Sequence, residues 1–409
     1  MPMISVQDEA LQLPLPRKGV LTIAPDYAEL RRSAPIVAVT TPTGDPAWIV
    51  IAHDEAKKVF SDKRFGYYTH HDPKSASRMS EAALHAHPMG GTDFEDMMIR
   101  MRKLLAPGFT PRRLSLLQGW VQDLTDQCLD EMQAAHDNNP GQPVNFHKML
   151  GFRLPVMVIA ALLGFPIEDS DYVTGLSARM GHTHDGAVAF GAASELSTYM
   201  GSLIEKKRKN LGEDILSDLI RANDADPTFF ASRPLESFAA GIVFPGHETT
   251  VVRMDFGVMY LLQDTSRRDW LMADPEGRID SVVEEVLRLT SAHNFGLMRY
   301  ANEDIDIGGV TIGRGDLVII SDAAANRDPA IFADPESFDP TRPNTRSHLA
   351  FGHGSHNCLG MSLARMELKA VFLSLFRRFP AVRIAVDPNS LEMDNHSVGG
   401  GVHDVPLIW

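Results

Sequence analysis

The chain has 409 residues, 44% of them hydrophobic and 22% charged, and carries a formal net charge of −14. That profile is one of a globular protein with a large core, and its acidic balance argues against a nucleic-acid partner. Two cysteines, Cys128 and Cys358, exclude a disulfide framework and point to a reducing cytoplasm.

The first residues, MPMISVQDEALQLPLPRKG, lack the charged-then-apolar pattern of a secretion signal. The longest apolar run, VMVIAALLGF at 156–165, is too short to span a bilayer. A cytoplasmic protein with no membrane partner is therefore expected. IVAVTTPTGDPAWIVIAH predicts a hairpin turning at Thr43-Gly44-Asp45. Residues 65–95 have loop character. MIRMRKLLAPGF predicts a short basic helix stopped near Pro107, and 114–136 a long amphipathic helix that buries Cys128. Further helices are predicted in LPVMVIAALLGFP, LSTYMGSLIEKKRKN, EDILSDLIRAND and IDSVVEEVLRLT. Strand character appears at 303–320, an irregular stretch at 326–350, and a last amphipathic helix in GMSLARMELKAVFLSLFRRF before short C-terminal strands.

One segment resists a simple reading. Residues 235–263 predict a single buried helix, yet Pro245 and Gly246 stand in its middle, in FPGHETT. A mid-helix proline removes a backbone donor and costs roughly 3 kcal/mol, and a glycine adds roughly 1 kcal/mol. A break is expected there, with Glu248 and Thr249 placed at it.

The sharpest local signal is FGHGSHNCLG, residues 351–360. Cys358 precedes a predicted helix, whose N-terminal N–H groups and dipole stabilise a thiolate and lower its pKa. Gly354 permits a tight turn, and Gly360 permits close approach of backbone to sulfur. Such a cysteine is a nucleophile, a metal ligand or an inert core residue.

FGHGSHNCLG resembles the haem-binding signature F-x-x-G-x-[HR]-x-C-x-G of the cytochrome P450 family, filled by Phe351, Gly354, His356, Cys358 and Gly360. Three more stretches resemble that family in the same order along the chain. PGHETT matches the oxygen-binding helix motif, Glu285-Val286-Leu287-Arg288 the E-x-x-R pair, and Phe338-Asp339-Pro340-Thr341-Arg342 the segment that supplies a third charged partner. The resemblance covers the whole chain. It implies one domain, residues 1–409, mainly α with a small β component.

The resemblance also implies roles. Cys358 becomes the axial thiolate ligand of haem b (iron protoporphyrin IX), shielded by Phe351. Arg102, Arg299 and His356 become partners of the haem propionates. Glu285, Arg288 and Arg342 form a structural charge network. Thr249 becomes a hydrogen-bond donor to dioxygen and Glu248 a proton relay. Phe244, Phe295, Leu297 and the turn VGGGVHD are expected near the substrate, together with the loop 65–95 and residues near 165–190. The basic residues Arg100, Arg102, Lys103, Arg112 and Arg113 suggest an acidic electron donor, a ferredoxin supplied by a ferredoxin reductase.

Two positions depart from the family pattern. Met98 stands where a histidine is usual, and Pro245 where alanine or glycine is usual. The histidine pairs His85/His87 and His182/His184 read as solvated loop residues, and His247 as a motif filler. The expected activity is insertion of one oxygen atom into a small organic substrate of secondary metabolism. The alternative is oxidative C–C or C–N coupling of an aromatic substrate such as a cyclodipeptide. A non-catalytic haem-thiolate sensor or carrier is disfavoured by the retained Glu248-Thr249 pair.

Overall fold

In the computed structural model the described residues are 11–67, 76–85, 93–226, 228, 230, 233–291 and 295–409. A sheet of six strands flanks a larger helical body. Its members are β1 (Leu11–Gln12), β2 (Ile36–Thr40), β3 (Pro46–Val50), β4 (Phe65–Gly66), and two strands from much later in the chain. β2 and β3 are the expected hairpin, pairing Ile36 with Val50 through Thr40 with Pro46. The 41–45 turn has Gly44 at φ +87°, the left-handed region that favours glycine.

The helices take their bounds from local chemistry. α1 spans Asp26–Ser33, α2 His53–Ser61 and α3 Asp93–Leu105. α4, Pro111–Asn138, starts with proline at its first position and Thr110 capping the Arg113 N–H. β5 (Val144–Asn145) follows, then α5, Arg153–Leu163, which ends on left-handed Gly164. α6 (Ser170–Met180) and α7 (Gly186–Lys207) pack on one another, and Asp214 caps α8 (Ile215–Ala225). Sequence periodicity marks α7 only in its second half and leaves α6 among residues expected to contact substrate. Four hydroxyl residues and a glycine in SDYVTGLSARM blur its apolar stripe.

The central helix, α9, runs unbroken from Leu235 to Gln263 with Pro245 inside it. The expected interruption is absent, because the neighbours hold the helix together. Gly246 lets Ile159 of α5 approach so closely that a Cβ there would lie 2.6 Å from Ile159 Cδ1. Pro245 is exposed, so its ring does not lie within the packed core. α10 (Thr265–Ala273) and α11 (Pro275–Leu289) share Asp264 and Asp274 as caps.

β6 (Leu297–Ala301), β7 (Ile305–Ile307), β8 (Val310–Ile312) and β9 (Leu317–Ile320) come next. β6 and β9 complete the sheet in the order β1-β2-β3-β9-β6-β4. α12 (Asp322–Ala325), the irregular stretch, α13 (Met361–Arg378), β10 (Arg383–Ile384) and β11 (Pro406–Ile408) close the chain. α9 is buried nearly throughout and α4, α5, α7, α11 and α13 pack around it in one apolar cluster. Cys128 lies in that cluster with no exposure, and burial pushes its thiol up to about 11, so it is inert.

Candidate active site

The Cys358 loop is held from three directions. The Cys358 N–H donates to the Phe351 carbonyl at 2.9 Å, closing the loop on itself. Gly354 has φ +76°, and a Cβ there would lie 2.9 Å from the Phe60 carbonyl oxygen, so this turn requires glycine to seat on α2. Gly360 is the residue preceding α13, and its N–H hydrogen-bonds the Cys358 sulfur. A Cβ on Gly360 would lie 3.8 Å from that sulfur, an ordinary contact.

Cys358 is solvent-accessible, although protein mass crowds it on its other sides. Burial raises its thiol pKa; the Gly360 N–H and the guanidinium groups of Arg102, Arg253 and Arg365 oppose that rise without cancelling it. The lowered pKa expected from the helix end is therefore overturned for the free thiol. An electropositive surround of this kind suits a sulfur that loses its proton to solvent and binds a metal as thiolate.

The expected cationic partners divide into two groups. Arg102 of α3 donates to the Asn357 carbonyl at 2.6 Å and to the Asn357 side chain, which ties α3 to the residue before the cysteine. Arg299, on buried β6, lies over the ring of Tyr67 at 3.9 Å from its centroid, and His356 meets the same ring edge-on at 5.2 Å. Tyr67 thus joins the two. It falls in the loop-like stretch of the sequence, where no motif marks it.

Behind the loop stands the Glu285–Arg288–Arg342 network. Arg288 donates to both Glu285 oxygens, at 2.7 and 2.8 Å, and Arg342 reaches Glu285 at 3.2 Å. Arg288 also donates to the carbonyls of Asn326, Pro335 and Ser337, so the irregular stretch is strung on one guanidinium. A second network went unread in the sequence. Glu284, the residue before Glu285, accepts from Arg365 at 2.7 and 2.9 Å and pairs with His348 at 3.0 Å. Burial alone would raise Glu284, but the hydrogen bonds from His348 and Arg365 outweigh it and hold the carboxyl to about 2. Arg365 also lies over Phe351, 4.7 Å from the ring centroid.

On α9 the Thr249 hydroxyl donates to the Pro245 carbonyl at 3.0 Å. Glu248 is 8% exposed, and burial together with Asp394 pushes it up to about 7 against the opposing pull of His147. His247 is buried and neutral, its pKa lowered to about 4, with Nε2 at 3.2 Å from the Phe152 carbonyl. One turn beyond Thr249, buried Arg253 donates to the Leu287 carbonyl, the Thr290 hydroxyl and, at 3.4 Å, the Ala350 carbonyl. It thereby links α9 to the start of the cysteine loop. An arginine in an apolar helix is a visible signal that the motifs did not use.

Of the expected substrate contacts, Phe244 and Phe295 are buried in apolar packing, Phe244 directly against Gly181. Leu297 is half-buried on β6. The VGGGVHD turn packs on α9, with Gly399 beside Glu248 and Gly401 beside Val252. His87 lies outside the described residues. His182 and His184 are not two loose loop residues: their rings meet His396, at 5.8 and 4.8 Å between centroids.

A family model described as cytochrome P450 matches residues 279–399. Pentalenolactone synthase of Streptomyces exfoliatus is 34% identical, across 98% of this chain and 100% of its own. The chain belongs to the cytochrome P450 family. The P450 monooxygenase PikC of Streptomyces venezuelae is 36% identical over 94% of this chain and 90% of its own. The solved structure of CxnD, a P450 for C–S bond formation in chuangxinmycin biosynthesis, superposes with a TM-score of 0.86 at 26% identity, covering 98% of this chain and 97% of that one. The architecture is therefore the P450 fold, and the protein is an oxidoreductase whose relatives work in natural-product biosynthesis. Among the described residues, no helix is long and apolar enough to cross a membrane.

Proposed function

We propose that this P450 binds haem b through the Cys358 thiolate and inserts one atom of dioxygen into a small natural-product scaffold. The observation that carries the reading is the Cys358 sulfur, accessible to solvent, hydrogen-bonded by Gly360 and surrounded by Arg102, Arg253 and Arg365. The residues present fit the cofactor: a lone accessible thiol for iron, and Arg102, Arg299 and His356 as cationic or hydrogen-bonding partners for its two carboxylates. When bound, the haem supplies the activation of dioxygen.

The chain's own residues do the rest. Gly360 and the arginines hold charge on the sulfur. Phe351, clamped under Arg365, would shield one side of it. Glu248 holds a proton near neutral pH and releases it, and the Thr249 hydroxyl passes it on. Each reductive use of dioxygen consumes two protons and two electrons, so a proton donor must be refilled in every cycle. Lys103 and Arg112, exposed on α3 and α4, offer a docking face to an acidic ferredoxin, itself reduced by a ferredoxin reductase.

A second reading is bond formation without oxygen insertion. C–C or C–N coupling of a cyclodipeptide-like aromatic substrate is the alternative the sequence offers; the likeness to CxnD favours a C–S bond for this second reading. Product mass after turnover with a panel of natural-product scaffolds decides between them. A gain of one oxygen atom supports insertion, and a loss of two hydrogens supports coupling.

A further inference from the structure

Glu248 borders a cavity of about 290 Å³. The lining comes from four elements. His147 and Phe152 line it from the turn before α5, and Ala178, Arg179 and His182 from the end of α6. Asp394, His396 and His403 come from the C-terminal segment, and Glu248 and Asp255 from α9. Two of these acids hold titratable partners: His147 Nδ1 is 2.6 Å from Asp255, and His403 Nε2 is 3.7 Å from Asp394. His247 Nδ1 stands 3.8 Å from Glu248 on the same helix.

The two ends of the cavity differ. At one end Glu248 is nearly enclosed, with the Gly399 backbone against it. At the other, the His403 side chain is 71% exposed, and His182 stacks on His396, whose Nδ1 lies 3.3 Å from that of exposed His184. Among the described residues, no three histidines, cysteines or carboxylates are placed to hold a metal. The cluster therefore needs another use. A histidine takes up and releases protons near neutral pH. At about 30 Å³ per molecule, the cavity has room for several waters, and its polar lining gives them partners.

We infer that this cavity is the proton-uptake path of Glu248, with His182, His396 and His403 as the groups that collect protons from solvent. The inference rests on the reading of Glu248 as proton source given above. A proton leaves a rim imidazolium for cavity water, water passes one to the Glu248 carboxylate, and solvent reprotonates the imidazole. No bond other than O–H and N–H changes, and the path is restored after each transfer.

The test follows protonation at position 248 without turnover. In the ferric holoprotein the Glu248 carboxyl stretch, assigned by its loss in Glu248→Gln, is read by infrared after a pH jump. Two variants obstruct the path separately: Ala178→Trp fills the cavity mouth, and the triple variant His182→Gln/His396→Gln/His403→Gln removes the collectors. Each should slow protonation on the order of tenfold while the equilibrium titration keeps its midpoint. Ala178→Trp should also keep wild-type turnover when hydrogen peroxide, which brings its own protons, replaces electron donor and dioxygen. Unchanged protonation rates in both variants would overturn the path alone. A Glu248 that stays ionised across neutral pH in the wild type would overturn the proton-source reading and the path with it.

Discussion

The Thr249 hydroxyl donates to the carbonyl of Pro245, four residues back on the same helix. A proline at that place has no N–H of its own to give, but its carbonyl is a full acceptor. The hydroxyl is thus oriented at rest and must swing off this acceptor to donate elsewhere.

Thr249→Ala should leave haem binding intact, since one such bond contributes only about 1 kcal/mol. It should divert reducing equivalents to hydrogen peroxide, with product per electron pair falling roughly tenfold. Thr249→Ser should retain most coupling. Peroxide yield per electron donor consumed measures this, and tight coupling in the alanine variant would remove Thr249 from proton delivery.

Glu248→Gln should stabilise the protein in a pH-dependent way. The folded carboxyl is raised from its ordinary 4.5 to about 7, so the fold binds a proton that the unfolded chain releases. Wild-type stability is then undiminished below about pH 4.5 and falls as pH rises through about 7, by up to about 3 kcal/mol. Glutamine carries no such penalty. The gap between variant and wild type, followed by denaturant unfolding, should open between those pH values and stay closed at pH 4. A constant gap would contradict the buried-acid assignment.

Glu285→Gln should be severe. It leaves Arg288 and Arg342 as buried cations facing a neutral amide, at a cost of roughly 3–5 kcal/mol. The irregular stretch strung on Arg288 should loosen with it, and haem retention on purification should fall. Normal haem content and unfolding midpoint would show that the network is dispensable.

Glu284 gives acid sensitivity of the opposite sign. Its folded pKa is depressed to about 2, so its contribution is present above about pH 4.5 and lost as pH falls toward 2. The contribution is on the order of 3 kcal/mol. Glu284→Gln should flatten the acid limb of the stability curve while lowering stability at pH 7. An unaltered acid limb would contradict the Arg365–His348 clamp.

Much of this was legible in the sequence because short motifs carry local chemistry. Cys358 with Gly354 and Gly360 marks a tight loop before a helix, and the family resemblance implies the charge network of Glu285 and Arg288. What escaped depends on long-range contact. Tyr67 joins Arg299 to His356 from a stretch with no periodicity. Glu284 binds residues 64 and 81 positions away. His182 meets His396 only because the C-terminal segment returns to the end of α6. The unbroken α9 was missed for a related reason. Helix propensity penalises Pro245 and Gly246, while the packing of Ile159 on Gly246 is invisible from the chain alone.

The central claim is that Cys358 holds the haem iron. The most direct measurement is the Soret band of the reduced, carbon-monoxide-treated protein, wild type beside Cys358→Ala. The thiolate should shift the wild-type band strongly to the red, and the variant should lose that band even where haem remains bound. An unchanged band in Cys358→Ala would contradict the account.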